Sequence, residues 1–257
     1  MNKTELIKKI TEKKEFSQLP KKDVELIFEK FGKNIYCDEE KVKKTRDLLR
    51  KVFSGFTSKK ILSLKDKPHE WILKKHLSTR ERIGNYEKIY RRILKDLPKE
   101  LSVFDLGSGV NGFSYRFFEK SGHIVNYIAV ESMGQLVKLM NSYFKKEKMK
   151  GKSYHLSLFD LDRVKKLIKE QKKPRVIFLF KTIDSLEMAK KDYSKKLIFE
   201  ISDLAERIII SFSTESMIKR KKFFVKRDWI MNFIKENFNL LDDFEIEGER
   251  YVVFKKN

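Results

Sequence analysis

The chain has 257 residues, of which 40% are hydrophobic, 21 are Phe and 59 are Lys or Arg against 37 Asp or Glu, for a formal net charge of +22. That apolar mass suffices for a core of one to two domains and excludes a disordered basic tail. The longest apolar runs, such as Val176–Phe180 and Ile208–Ile210, are strand-sized, too short for a membrane helix of about 18 residues. Cys37 is the single cysteine, which excludes a disulfide framework, and the histidines at 69, 76, 123 and 155 lack metal-ligand spacing, so no metal is expected. The N-terminal stretch lacks an apolar signal region, which favours the cytoplasm, and no obvious apolar repeat is present, which favours a monomer. The surplus of basic charge is spread: 28 basic and 16 acidic residues in 1–100, a net of +12, and 31 and 21 in 101–257, a net of +10. It points to a polyanionic partner, nucleic acid before an anionic membrane surface.

The first 98 residues read as helices. Thr4–Lys14 opens on Thr4 as N-cap and sets Leu6, Ile7 and Ile10 on one face. Pro20–Phe31 and Asp38–Phe53 carry apolar residues at the same spacing, and Glu70–His76 is a shorter piece. Thr79–Leu97 repeats Ile83, Tyr86, Ile89, Tyr90 and Ile93 at helical intervals until Pro98 stops it.

From residue 99 the pattern alternates. Strands are expected at Ser102–Gly107, Tyr127–Glu131, Tyr154–Leu158, Arg175–Phe180 and Arg207–Phe212. Helices are expected between them at Phe113–Lys120, Met133–Lys146, Leu161–Glu170 and Tyr193–Leu204. A last helix, Asp228–Asn237 with Asp228 as cap, precedes strands Leu240–Glu247 and Glu249–Lys255, joined at Gly248 as an antiparallel hairpin. Five β-α repeats mean an α/β fold: parallel strands in a Rossmann-like sheet with helices on both faces. An appended antiparallel hairpin is a feature of class I methyltransferases. The expected division is a helical, basic part over 1–98, with a linker helix at 76–97, and a sheet domain over 99–257.

The turn Asp105-Leu-Gly107-Ser108-Gly109 closes the first strand, at the place where a doubly wound sheet binds ligands. The string fits a dinucleotide pattern and also a plain structural turn. An acid directly before the glycines suits a ligand that presents an amine better than one that presents a pyrophosphate. Glu131 ends the second strand, where a carboxylate can accept both ribose hydroxyls of a nucleoside. Asp160 follows the third, in reach of an adenine amine, with Leu161 or Phe159 packing on the ring. Three acids at three successive strand ends read together as an S-adenosylmethionine pattern.

The residues around the fourth strand narrow the chemistry. The segment Phe180-Lys-Thr-Ile-Asp184 has none of the prolines found where exocyclic amines are methylated, and Cys37 lies outside the sheet domain, away from any pyrimidine-carbon chemistry. Lys181 fills one slot of a ribose-methylating set, but the others are unfilled. Guanine N7 has its own free lone pair and no proton to remove, so it needs positioning alone and no general base.

Three strings carry a resemblance: His76-Leu-Ser-Thr-Arg80-Glu-Arg82-Ile, Phe178-Leu-Phe-Lys181 and Ser211-Phe-Ser-Thr-Glu-Ser216. With the order of parts, the chain resembles, over almost its whole length, the aminoglycoside-resistance small-subunit (16S) rRNA methyltransferases, which methylate guanine N7 in the decoding site. The resemblance implies S-adenosyl-L-methionine as cofactor and the small ribosomal subunit as partner. It implies that Arg82 grips the methionine carboxylate, with Arg80 beside it. Asp105, Gly107, Ser108 and Gly109 would hold the methionine moiety, and Glu131 and Ser132 the ribose. Asp160 and Leu161 would hold the adenine, with Phe180 completing the cofactor set. Lys181 would line the pocket near the target base. Gly112, Asp184 and Ser213 stand where that family has prolines, so the chain reads as a distant member. A methyltransferase of another rRNA site or of tRNA, and a non-catalytic ribosome assembly factor that keeps the fold, are the alternatives.

The loop 213–227 would face rRNA. Within it, Lys219, Arg220, Lys221, Lys222, Lys226 and Arg227 would neutralise phosphates, while Trp229, Phe223 or Phe224 could stack on a splayed base. Lysine pairs of the helical part, such as Lys8/Lys9, Lys43/Lys44 and Lys59/Lys60, would add phosphate contacts.

Overall fold

Every second residue of the central strands faces the same side, and both sides are apolar. In β1 (Glu100–Leu106), Leu101 and Val103 point one way while Phe104 and Leu106 point the other. In β4 (Arg175–Phe180), Val176 and Phe178 oppose Ile177 and Leu179. A strand buried on both faces belongs inside a sheet with a layer on each side. The computed structural model, which describes residues 1–32, 35–54, 67–215 and 227–257, has this architecture.

Seven strands form one sheet in the order β3-β2-β1-β4-β5-β7-β6, the others being β2 (Ile124–Glu131), β3 (Gly151–His155), β5 (Arg207–Ser213), β6 (Phe238–Ile246) and β7 (Glu249–Lys256). The first five run parallel, and β7 inserts antiparallel between β5 and β6. This is the α/β sheet with C-terminal hairpin that the alternation predicts. Helices α1 to α6 precede the sheet: Lys3–Thr11, Lys21–Gly32, Asp38–Leu49, His69–Lys75, Leu77–Arg80 and Tyr86–Ile93. Within it lie α7 (Arg116–Lys120), α8 (Gly134–Lys146), α9 (Leu161–Lys169), α10 (Ile183–Ala189), α11 (Tyr193–Ser202) and α12 (Asp228–Asn237). One apolar cluster joins α1 to α4, α6, α7 and α8 to one face of the sheet, and a second joins α9 to α12 to the other. The N-terminal helices therefore share a core with the sheet.

Several boundaries differ from expectation for identifiable reasons. The first helix is capped by Asn2, not Thr4: the Asn2 side chain accepts from the Glu5 amide while the Glu5 carboxylate accepts from the Asn2 amide. The third helix widens into a π turn at Arg50–Ser54. The long linker helix is two pieces, α5 and α6, separated by a turn over 81–85 that contains Gly84 and Asn85. The third strand starts and ends three residues early, at 151–155, which leaves Ser157, Leu158 and Phe159 in a loop. Helix α10 is additional, and Arg227 rather than Asp228 occupies the cap of α12.

Candidate functional site

The strand order reverses between β1 and β4, and the crevice at their C-terminal ends is where ligands bind in sheets of this kind. A cleft of about 710 Å³, open solvent included, lies there. It is lined by the glycine turn, the ends of β2 and β4, the 158–159 loop, His76 and Ser78 from the linker, and Val52 and Phe53 from the π turn.

The turn is tight. Gly107 and Gly109 have φ of +76° and +54°, in the region that disfavours a side chain. A Cβ on Gly107 would come within 2.8 Å of the Thr182 side chain, and one on Gly109 within 3.0 Å of the His76 ring. Burial pushes the His76 imidazole down to about 3, helped by the Arg82 and Lys181 charges, so the ring is neutral at physiological pH. The Ser108 hydroxyl is buried and has no hydrogen-bond partner among the described residues.

Glu131 sits at the end of β2 and lines the cleft. Its Oε2 accepts from the Gly109 amide and its Oε1 from the Met133 amide, both at 2.8 Å. A carboxylate has about four lone-pair sites, so two acceptor positions remain. Burial pushes its carboxyl up to about 7, against the lowering effect of those two amides; the Asp105 and Asp23 charges add to the rise. Both ionised and protonated forms are therefore populated near neutrality.

Behind the cleft runs a chain of buried polar groups. Asp105 Oδ2 accepts from Asn111 Nδ2 at 2.7 Å and from the Tyr127 hydroxyl, and burial pushes its carboxyl up. Asn111 Oδ1 accepts from the Tyr86 hydroxyl at 2.8 Å and from Arg82 Nη1 at 3.4 Å. The other edge of the Arg82 guanidinium is on Glu249: Nη2 to Oε1 at 2.7 Å and Nε to Oε2 at 2.9 Å. Glu249 Oε1 also accepts from the Ser211 hydroxyl at 2.5 Å, and Oε2 lies 3.2 Å from Lys181 Nζ, which also reaches Glu81. Burial works against ionisation of Glu249, yet Arg82 and Lys181 hold its carboxyl below the ordinary range. Lys181 has φ of +54°, a strained conformation for a lysine, at the mouth of β4.

The family model for ribosomal RNA methyltransferase (FmrO) matches residues 41–236. The chain belongs to that family. Among curated proteins it is similar to the 16S rRNA (guanine(1405)-N(7))-methyltransferase of Micromonospora rosea, 25% identical over 149 residues, which cover 57% of this chain and 50% of that protein. It is also similar to the enzyme of the same description from Proteus mirabilis, 35% identical over 60 residues, which cover 23% of this chain and 21% of that one. The chain thus spans half the length of the first relative and about a fifth of the second. In fold it resembles the crystal structure of the 16S rRNA methyltransferase RmtF in complex with S-adenosyl-L-homocysteine, at TM-score 0.79 and 17% identity over all of both chains. It also resembles that of the 16S rRNA methylase RmtB, at TM-score 0.77 and 17% identity over 100% of this chain and 99% of that one.

The structure brings Gly107, Gly109, Glu131, Ser132, Phe180 and Lys181 together around the cleft. Other residues sit elsewhere. Arg82 is 2% exposed with its two-pronged edge on Glu249, so the grip on a ligand carboxylate expected of it is taken by a protein carboxylate. Arg80 is exposed at the end of α5. Asp160 is half-buried at the start of α9, near Arg163 and Lys22 at 3.7 and 3.9 Å, and neither it nor Leu161 lines the cleft. Arg227, expected to contact phosphate, is buried and donates to Asp184 Oδ2 at 2.6 Å and to the Ser213 carbonyl. Trp229 is half-buried and packs into the second core. Lys219, Arg220, Lys221, Lys222, Phe223, Phe224, Lys226, Lys59 and Lys60 lie outside the described residues.

Sequence reading missed Glu249, Asn111, Thr182 and Glu81. Asn111 stands in the glycine-rich string and Glu81 between the two linker arginines, so both carried a signal. Glu249 carried none, since it is 167 residues from the arginine it holds.

Proposed function

We propose that the chain is an S-adenosylmethionine-dependent methyltransferase of small-subunit ribosomal RNA, acting at guanine N7. The observation that carries this reading is the cleft at the β1/β4 switch point, walled by two positive-φ glycines and by a carboxylate with spare acceptor capacity at the end of β2. The residues fit such a cofactor. Glu131 would accept from the ribose hydroxyls, and Leu158 and Phe159 would pack on the adenine. The glycine turn lets the backbone close on the methionine part, with the orphan Ser108 hydroxyl beside it. Glu131 gives the cleft an acidic wall, with buried Asp105 behind it, within a chain of net charge +22, which favours a cationic ligand inside and a polyanion outside.

The cofactor, when bound, supplies a methyl group on a positively charged sulfur. The chain's part is to hold and orient. Lys181, fixed by Glu81 and Glu249, would stand against the target base, and Phe180 beside it walls the cleft. N7 of guanine has no proton to lose, so no residue need act as a base, and positioning carries the rate. The lysines Lys8, Lys21, Lys22 and Lys43 on the N-terminal helices, and Lys13 and Lys14 in the turn after α1, are exposed and would meet rRNA phosphates.

Two measurements test this. Calorimetry with S-adenosylhomocysteine is expected to show one site per chain, and a folded chain that binds none would be an assembly factor instead. Tritiated methyl transfer should label isolated small subunits and neither large subunits nor bulk tRNA; preferential labelling of either of the latter would move the substrate.

A further inference from the structure

Asp23 lies in the first turn of α2, in the N-terminal helical part, and is fully buried. Its Oδ1 accepts from the hydroxyl of Ser157, in the loop after β3. That hydroxyl in turn accepts from the Phe159 amide at 3.0 Å. One side chain thus fixes the rotor of Ser157: with its proton committed to Asp23, its lone pair is free for Phe159. Leu158 and Phe159 form a wall of the cleft. From the opposite side the Tyr193 hydroxyl donates to the Leu158 carbonyl at 2.6 Å, and its ring lies 4.6 Å from that of Phe159. The loop is therefore held between α2 and α11.

The same N-terminal stretch touches the next turn of the cleft as well. The Gly134 amide donates to the Gln18 carbonyl at 3.3 Å, and Gln135 Nε2 donates to the Lys14 carbonyl at 2.8 Å. These contacts sit just beyond Glu131 and Ser132. Asp23 Oδ2 makes no hydrogen bond of full geometry among the described residues, and the nearby Ser132 side chain, on the cleft wall, together with Ser157 partly offsets the cost of its burial. A carboxylate buried at that expense needs a reason in the loop it holds.

We propose that Asp23 is a positioning residue for cofactor binding: through Ser157 it sets the Leu158–Phe159 wall against which the cofactor's base packs. The inference rests on the cofactor reading above. A helix outside the sheet thereby completes the cofactor cleft, and affinity for the cofactor depends on the N-terminal helices being docked.

The test uses the full chain and S-adenosylhomocysteine calorimetry on Asp23→Ala, Asp23→Asn, Ser157→Ala and the double variant Asp23→Ala/Ser157→Ala. Asp23→Ala and Ser157→Ala should each weaken binding about tenfold, the scale of one buried hydrogen bond. The double variant should lose no more than either alone, because the two act through one contact. Asp23→Asn keeps the Oδ1 acceptor and should restore affinity to within about threefold of wild type. In methyl transfer to small subunits, KM for S-adenosylmethionine should rise with kcat within about twofold, a split that a general loss of stability would not produce. Affinities of folded Asp23→Ala and Ser157→Ala within twofold of wild type, or additive losses, would overturn the proposal. Should Asp23→Ala not fold, Ser157→Ala and Asp23→Asn decide it. A wild-type chain that binds no S-adenosylhomocysteine would instead sink the cofactor reading, and this inference with it.

Discussion

Replacing Glu131 by Gln separates the charge at the end of β2 from its hydrogen bonds. In the folded chain burial raises this carboxyl from 4.5 to about 7, whereas in the unfolded chain it returns to roughly 4.3. Between those values the unfolded chain ionises while the folded site keeps its proton. The contribution to stability is thus fully present below the unfolded value and is lost as pH rises through about 7. At about 1.4 kcal/mol per pH unit the whole loss is about 4 kcal/mol, of which about 2 kcal/mol or more falls between pH 5 and 8. Glutamine has a cost of its own, since its amide must turn NH2 toward the Gly109 or the Met133 amide, at about 1–3 kcal/mol. That cost is the same at every pH and cancels when the two slopes are compared. The other buried acids, Asp105 and Asp23, are present in both proteins. Urea unfolding followed by circular dichroism at pH 5 and pH 8 should show wild type losing about 2 kcal/mol more than Glu131→Gln across that interval. Parallel stability curves would refute the assignment of a raised, buried carboxyl to this position.

Three other outcomes are expected. Arg82→Ala should destabilise the fold by about 3–5 kcal/mol by stranding Glu249, and the double variant Arg82→Met/Glu249→Leu should recover much of that in thermal unfolding, because it removes both charges; equal loss in both would show that the pair is not the reason. Gly107→Ala should lower stability by about 1–2 kcal/mol and weaken S-adenosylhomocysteine binding, since it puts a Cβ at positive φ against Thr182; unchanged calorimetry would place the ligand elsewhere. Reversing Lys219–Lys222 to Glu should weaken small-subunit binding and flatten its salt dependence, with up to about 0.7–0.9 of slope lost per phosphate contact, while cofactor affinity is unchanged.

The parts that local sequence determines were readable from it. Strand Arg175–Phe180 and helix Asp228–Asn237 begin and end where apolar runs and turn residues place them. The glycine turn could be located because Gly107 and Gly109 follow a strand, and positive φ at that junction is a local demand. The linker helix was misread because its apolar spacing continues through Gly84 and Asn85, and periodicity alone does not register a break. The partner of Arg82 was not legible for a different reason. A motif shows that a guanidinium is wanted near the cleft, but not which carboxylate it meets, and Glu249 reaches it only through the antiparallel insertion of β7 beside β5. The same holds for Asp23, whose partner Ser157 is 134 residues away across the seam between α2 and the sheet.

Guanine N7 methylation leaves a base that borohydride reduces and so loosens from its ribose, and aniline then cleaves the RNA chain at that position. Small subunits treated with the chain and S-adenosylmethionine, then reduced and cleaved, should yield one new break in the small-subunit rRNA at a single guanosine, absent when the cofactor is omitted. Labelled rRNA that resists cleavage would place the methyl group on another atom, and unlabelled rRNA from a chain that binds S-adenosylhomocysteine would contradict methyl transfer to this substrate altogether.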